Sequence, residues 1–189
     1  MASLEEIRSA RIKKLQILKE RGIDPYPAKV DRDFDIKFLK ENFTEYKNSG
    51  KNVSVAGRVL AIRGQGAILF AVIFDGTDRI QAIIKKDILG DEAFSLFVDT
   101  ADMGDFISVR GKVDESKTGE PSIFAESWGF ASKSLLPLPE KWAGLTDVEE
   151  RYRKRYLDIL QDEELRDLII KKSKFWDVTR NFFKDRGFL

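Results

Sequence analysis

The chain has 189 residues and a formal charge of +1, from 33 Lys and Arg against 32 Asp and Glu, which allows one or two domains and gives no global cationic field to advertise a polyanion. With 34% charged and 42% hydrophobic residues it reads as a well-charged globular protein rather than a disordered one. Zero Cys and zero His exclude disulfides, zinc fingers and thiol or imidazole catalysis, so that any metal would be a hard cation on carboxylates.

The first predicted element is an amphipathic helix. Leu4, Ile7, Ile12, Leu15 and Leu18 recur at helical spacing, with charged residues between them. Ser3 with Glu6 has the spacing of a capping box, and Gly22 followed by Pro25 and Pro27 stops the helix. No apolar leader is expected where Glu5, Glu6, Arg8 and Arg11 stand, and no run is apolar for the ~18 residues a bilayer span needs. A second helix is expected from Ile36 to Tyr46.

From Val53 the period changes to two. Val53, Val55, Gly57, Val59 and Ala61 alternate with Ser54, Ala56, Arg58, Leu60 and Ile62 in a first strand. Ala67 to Phe74 and Arg79 to Ile84 form the second and third strands, joined by the hairpin turn Asp75-Gly76-Thr77-Asp78. A helix is expected from Asp87 to about Val98, then strands from Phe106 to Val113 and from Ser122 to about Ala131. Three short strands, a helix and two more strands predict a five-stranded oligonucleotide/oligosaccharide-binding (OB) barrel.

Leu135-Leu136-Pro137-Leu138-Pro139 begins a stiffened linker. After it, Thr146 or Asp147 caps a charged helix through Tyr152, Tyr156, Leu157 and Leu160. A further helix carries the stripe Leu168, Phe175, Val178 and Phe182, with nothing in the chain to cover it. The expected organisation is therefore α+β, mostly β: a helical extension over 1–50, an OB barrel over 51–134, a linker over 135–145 and a helical segment over 146–189.

No P-loop, dinucleotide fingerprint or nucleophile–base pair is present. Asp75 and Asp78 flank a turn, where aspartate usually bonds its own backbone. The barrel offers binding instead. A base splayed from a single strand needs an aromatic face and polar groups at its edge. Phe70 in the second strand and Gln81 in the third are residues of that kind, and Arg58, Arg63, Lys85 and Lys86 are placed to hold phosphates. As an aromatic in a strand Phe70 reads first as a core residue, and Gln81 reads equally as an ordinary solvated side chain on the face opposite Ile80 and Ala82.

Several stretches together resemble the N-terminal part of a bacterial-type class II lysyl-tRNA synthetase. They are Arg21-Gly22-Ile23-Asp24-Pro25-Tyr26-Pro27; Gly57-Arg58-Val59 with Gly66, Phe70, Asp75 and Arg79-Ile80-Gln81; Leu136 through Leu145; and Glu150 through Asp158. The barrel pattern is shared with aspartyl- and asparaginyl-tRNA synthetases, while the opening motif favours lysyl. The resemblance implies that Phe70 stacks on an anticodon base, that Gln81 bonds the edge of the central uridine, and that Arg63 contacts the same loop. A glutamate on the last strand would complete this set, which falls on Ser127 or on its neighbour Glu126. It further implies a cytoplasmic enzyme that attaches lysine to tRNA-Lys using ATP and Mg²⁺ held outside this chain, homodimeric at full length. The 146–189 segment would open the catalytic domain and stop within its first motif, leaving this chain without catalysis of its own. The alternative readings are a free-standing OB module that grips single-stranded nucleic acid without sequence choice, and a fragment of an aspartyl- or asparaginyl-type class II synthetase.

Overall fold

The computed structural model describes residues 3–139 and 147–188. Glu140 to Thr146, which hold the Trp142 end of the linker and one expected cap, lie outside the described residues, as does Leu189. Two compact units are present, Met1–Pro137 and Leu138–Leu189.

In the first unit, helix α1 (Leu4–Glu20) opens on the expected capping box: the Ser3 hydroxyl accepts from the Glu6 amide, and the Glu6 carboxylate accepts from the Ser3 amide at 2.7 Å. It ends before Gly22, whose φ of 70° needs a residue without Cβ. The helix expected over 36–46 is two helices, α2 (Ile36–Glu41) and α3 (Phe43–Ser49). Asn42 divides them by turning its side-chain amide onto the Phe38 carbonyl, a local bond that competes with helix continuation.

Strands β1 (Asn52–Gln65), β2 (Ile68–Phe74), β3 (Arg79–Lys85), β4 (Phe106–Glu115) and β5 (Pro121–Ser132) close into a barrel in the order β1-β2-β3-β5-β4. Every pairing is antiparallel except β3 with β5, which makes this the OB architecture. Between β3 and β4, Gly90 splits the expected single helix into α4 (Lys86–Leu89) and α5 (Asp91–Thr100). Closure forces a tight approach at Gly111, where a Cβ would sit 1.9 Å from the Phe124 carbonyl oxygen.

The interior holds Val53, Val55, Val59, Ala71, Ile73, Ile80, Ala82, Ile84, Ile107, Val109, Ile123 and Ala125, with Phe94 and Phe97 of α5 packed onto it. Leu18, Ile36 and Leu39 belong to the same cluster. The 1–50 segment is thus built into the barrel's core rather than appended to it.

A buried ionic knot secures that attachment. Lys133 Nζ donates to Asp102 Oδ2 at 2.6 Å and to Asp105 Oδ2 at 2.8 Å, with both Lys133 and Asp105 side chains fully buried. Lys14 of α1 reaches Asp102 at 2.7 Å. Arg11, also buried, donates to the carbonyls of Met103 and Leu136. Burial pushes the Asp105 carboxyl above its ordinary range although Lys133 pulls it down; at Asp102 burial is outweighed by Lys133 and Lys14, and the carboxyl sits below its ordinary range.

The second unit contains α6 (Val148–Arg153), α7 (Arg155–Gln161) and α8 (Glu163–Lys184). Asp147 caps α6 by accepting from the Glu149 amide, and the run expected as one helix breaks at Lys154. Asp158 is buried and binds Arg151 and Arg155. Leu168, Phe175, Val178 and Phe182 are exposed along α8.

Candidate nucleic-acid interface

Which way the strands face around Phe70 and Glu126 is decided by pairing and by a bulge beside each. On β2, Leu69, Ala71 and Ile73 point into the cluster, so Phe70, Val72 and Phe74 point outward. Residues directly opposite share a face. The register Phe70↔Ile83, Val72↔Gln81 and Phe74↔Arg79 therefore puts Gln81 on the outer wall with Phe70, one diagonal step away. Phe70 is partly buried and belongs to the outer wall, not the core.

On β1 the strict alternation read from the sequence holds only to Val59. The pairing jumps from Val59↔Ile73 to Ala61↔Val72, leaving Leu60 as the extra residue. Past the bulge the faces exchange: Ile62 packs onto the core, while Arg63 turns outward opposite Phe70. Without the bulge Arg63 would point to the interior. Arg63 is exposed.

Arg58 lies at the other end of the wall, opposite Phe74. Its guanidinium stands 4.3 Å from the centre of the Phe106 ring and donates to the Gly104 carbonyl. Arg58 is thereby tied into the barrel end, and Phe74 beside it is nearly buried, at 7% exposure. The apolar outer positions Val72 and Phe74 are thus part of a packed flank. The open part of the wall is the Phe70 end.

Gln81 is not an ordinary solvated amide. It is 5% exposed, and its Nε2 donates to Ser122 Oγ at 3.0 Å across the parallel β3·β5 pairing. Ser122 is fully buried, and its hydroxyl donates to the Glu120 carbonyl at 2.9 Å. Next along β5, Phe124 faces Ile83, and the Lys85 ammonium lies 5.2 Å from the Phe124 ring centre. Lys86 pairs with Asp91.

At the far end of the row a second bulge settles how Glu126 and Ser127 are presented. Arg110 opposes Ser127 and Gly111 opposes Ala125, so Glu126 is the inserted residue and both it and Ser127 are exposed. The Glu126 carboxylate accepts from Asn52 Nδ2 at 2.6 Å. Asn52 opposes Lys112, which opposes Phe124. A row Arg63, Phe70, Ile83, Phe124, Lys112, Asn52 therefore runs around the wall, with Gln81 set beside it.

Asp75 belongs to the fold. Its Oδ1 accepts from the amide and hydroxyl of Thr77, and its Oδ2 from the Ile36 amide at 2.8 Å, fastening the β2–β3 turn to α2. Burial alone would raise its pKa, but these bonds outweigh it and hold the carboxyl below its ordinary range. Among the described residues no group of three or more acidic side chains is arranged to hold a metal ion, and no helix is long and apolar enough to cross a membrane.

Ser122, Phe124 and Asn52 are site neighbours that sequence reading passed over.

Residues 53–129 match the tRNA anti-codon family, an OB-fold nucleic acid binding domain. The chain is similar to the lysine–tRNA ligase of Pelotomaculum thermopropionicum, 41% identical over 98% of this chain and 36% of that protein. It is similar also to that of a Roseiflexus species, 41% identical over 98% of this chain and 38% of that protein. Against lysine–tRNA ligase 2 of Methanosarcina mazei the identity is 41%, over 95% of this chain and 35% of that protein. The chain thus spans little more than a third of the length of these relatives.

Proposed function

We propose that this chain, which belongs with the lysine–tRNA ligases over the part of them it spans, reads the anticodon of tRNA-Lys on the outer wall of its barrel. The observation that carries the reading is the shared face: an aromatic ring, a sheltered amide and an exposed guanidinium from three adjacent strands meet beside Phe70. Phe70 offers a base its π-face, Gln81 offers its Oε1 as an acceptor to a Watson–Crick edge, and Arg63 supplies positive charge for the loop. Glu126, steadied by Asn52, and Ser127 border the same row and are assigned to a flanking nucleotide. Lys85 and Lys112 add charge that positions the phosphates without specifying sequence. Arg58 is assigned to the fold.

In the longer protein this binding would select the tRNA to which lysine is attached. ATP and Mg²⁺ would be bound outside the described residues, in a cytoplasmic homodimer. The test is binding of a stem-loop with a UUU anticodon. Phe70→Ala and Gln81→Ala should each weaken it by about 1–3 kcal/mol, and a loop of scrambled sequence should compete poorly. Unchanged affinity in both variants removes the site. Equal affinity for any unpaired loop favours a module without sequence choice.

A further inference from the structure

We propose that Ser122 is the positioning residue that sets the polarity of the Gln81 amide, and thereby makes the barrel prefer uracil to cytosine at the base Gln81 meets. The inference rests on Gln81 being a base reader and adds what decides which base it reads.

A glutamine amide is nearly symmetric in shape and opposite in chemistry at its two ends, so a free one offers either an acceptor or a donor. The surroundings of Gln81 remove that freedom. A serine hydroxyl carries one proton. That of Ser122 goes to the Glu120 carbonyl, which also accepts from the Ser116 amide at 2.9 Å. The Glu120 amide in turn donates to Ser116 Oγ at 3.1 Å, so the loop between β4 and β5 is braced on both sides of Glu120. With its proton committed, Ser122 Oγ faces Gln81 as an acceptor only. It therefore takes Nε2, and Oε1 is left as the acceptor that a ligand meets. Turning the amide over would set Oε1 against Ser122 and require the hydroxyl to abandon Glu120, inside a pair of side chains that are 5% and 0% exposed.

Uracil carries a proton on N3, and cytosine carries a lone pair there. For a base held in place by stacking on Phe70, an outward Oε1 accepts from the N3–H of uracil and repels the N3 of cytosine. An inverted amide would reverse that choice. The discrimination is therefore stored in a hydroxyl that does not touch RNA.

The experiment measures binding of two stem-loops, with UUU and UCU anticodons, to the full chain and to Ser122→Ala, Ser122→Thr and Gln81→Ala. Ser122→Ala should lower the uracil-to-cytosine affinity ratio about five-fold, the factor one net hydrogen bond is worth, chiefly by improving UCU binding. Ser122→Thr, which keeps the hydroxyl, should hold the wild-type ratio. Should Ser122→Ala fold poorly, Ser122→Cys keeps the volume with a weaker acceptor, and its ratio should fall likewise. A wild-type ratio in Ser122→Ala and Ser122→Cys, with Gln81→Ala still impaired, overturns the role of Ser122 and leaves the base reader intact. An unimpaired Gln81→Ala overturns both.

Discussion

The two units handle apolar side chains in opposite ways. The barrel unit gathers its aliphatic residues with Phe94 and Phe97 into one cluster and encloses even a lysine and an aspartate. The helical unit leaves Leu168 and Phe175 each 61% exposed, and among its described residues only the charged Asp158 is buried. Both carry a clear hydrophobic period. A sheet that curls back on itself supplies every strand's inner face with an opposite wall, whereas a stripe along a single helix has no wall unless another element brings one. Periodicity states that a face is to be covered, and topology decides whether the chain covers it.

Four substitutions test that contrast, read by residue-resolved hydrogen exchange so that each unit reports separately. Lys133→Ala should be the most damaging, because it strands Asp105 as an uncompensated buried carboxylate. The barrel should lose about 3–5 kcal/mol while α8 exchanges as before. Leu18→Ala tests whether the first helix belongs to the barrel's core. A loss of about 2–5 kcal/mol spread through the strands is expected, and an effect confined to α1 would restore the picture of an appended helix.

Acid provides a gentler probe. Asp75 has a lowered pKa when folded, so it contributes stability above the ordinary carboxylate value of 3.8 that is lost as pH falls through its folded value. Asp75→Asn should therefore start less stable at neutral pH and decline less steeply in acid. An unchanged acid limb would show that the turn's bonds to Thr77 and Ile36 are not coupled to folding. Asp105 acts with the opposite sign: its raised pKa favours the folded state at low pH, and that contribution disappears as pH rises through its folded value. The smallest effect is expected of Leu168→Ala, within about 0.5 kcal/mol, since little is removed from contact at an exposed position. A large loss would mean the stripe is covered in solution.

The succession of strands along the chain, the Asp75 hairpin turn, the Ser3 cap and the OB architecture were legible from spacing, because these are local patterns or follow from the sequence of elements. Phe70 and Gln81 were also legible as candidates. Their facing was not, because period two says which residues travel together and not which set is inside. The breaks at Asn42, Gly90 and Lys154 escaped because apolar spacing continues across them. Glu126 and Ser127 could not be separated in advance, since a bulge lets two successive side chains emerge where simple alternation allows one.

By itself the sequence determined the kind of each element and their succession along the chain, and it named the chemistry available to the outer wall, because capping, turn formation and alternation act between near neighbours. Tertiary structure alone decided that Leu60 bulges and sends Arg63 outward, that α1 shares the barrel's core, and that the Gln81 amide meets Ser122 from a strand 41 residues away. Those outcomes depend on which strands become neighbours when the sheet closes. Closure brings together residues whose proximity no local period encodes.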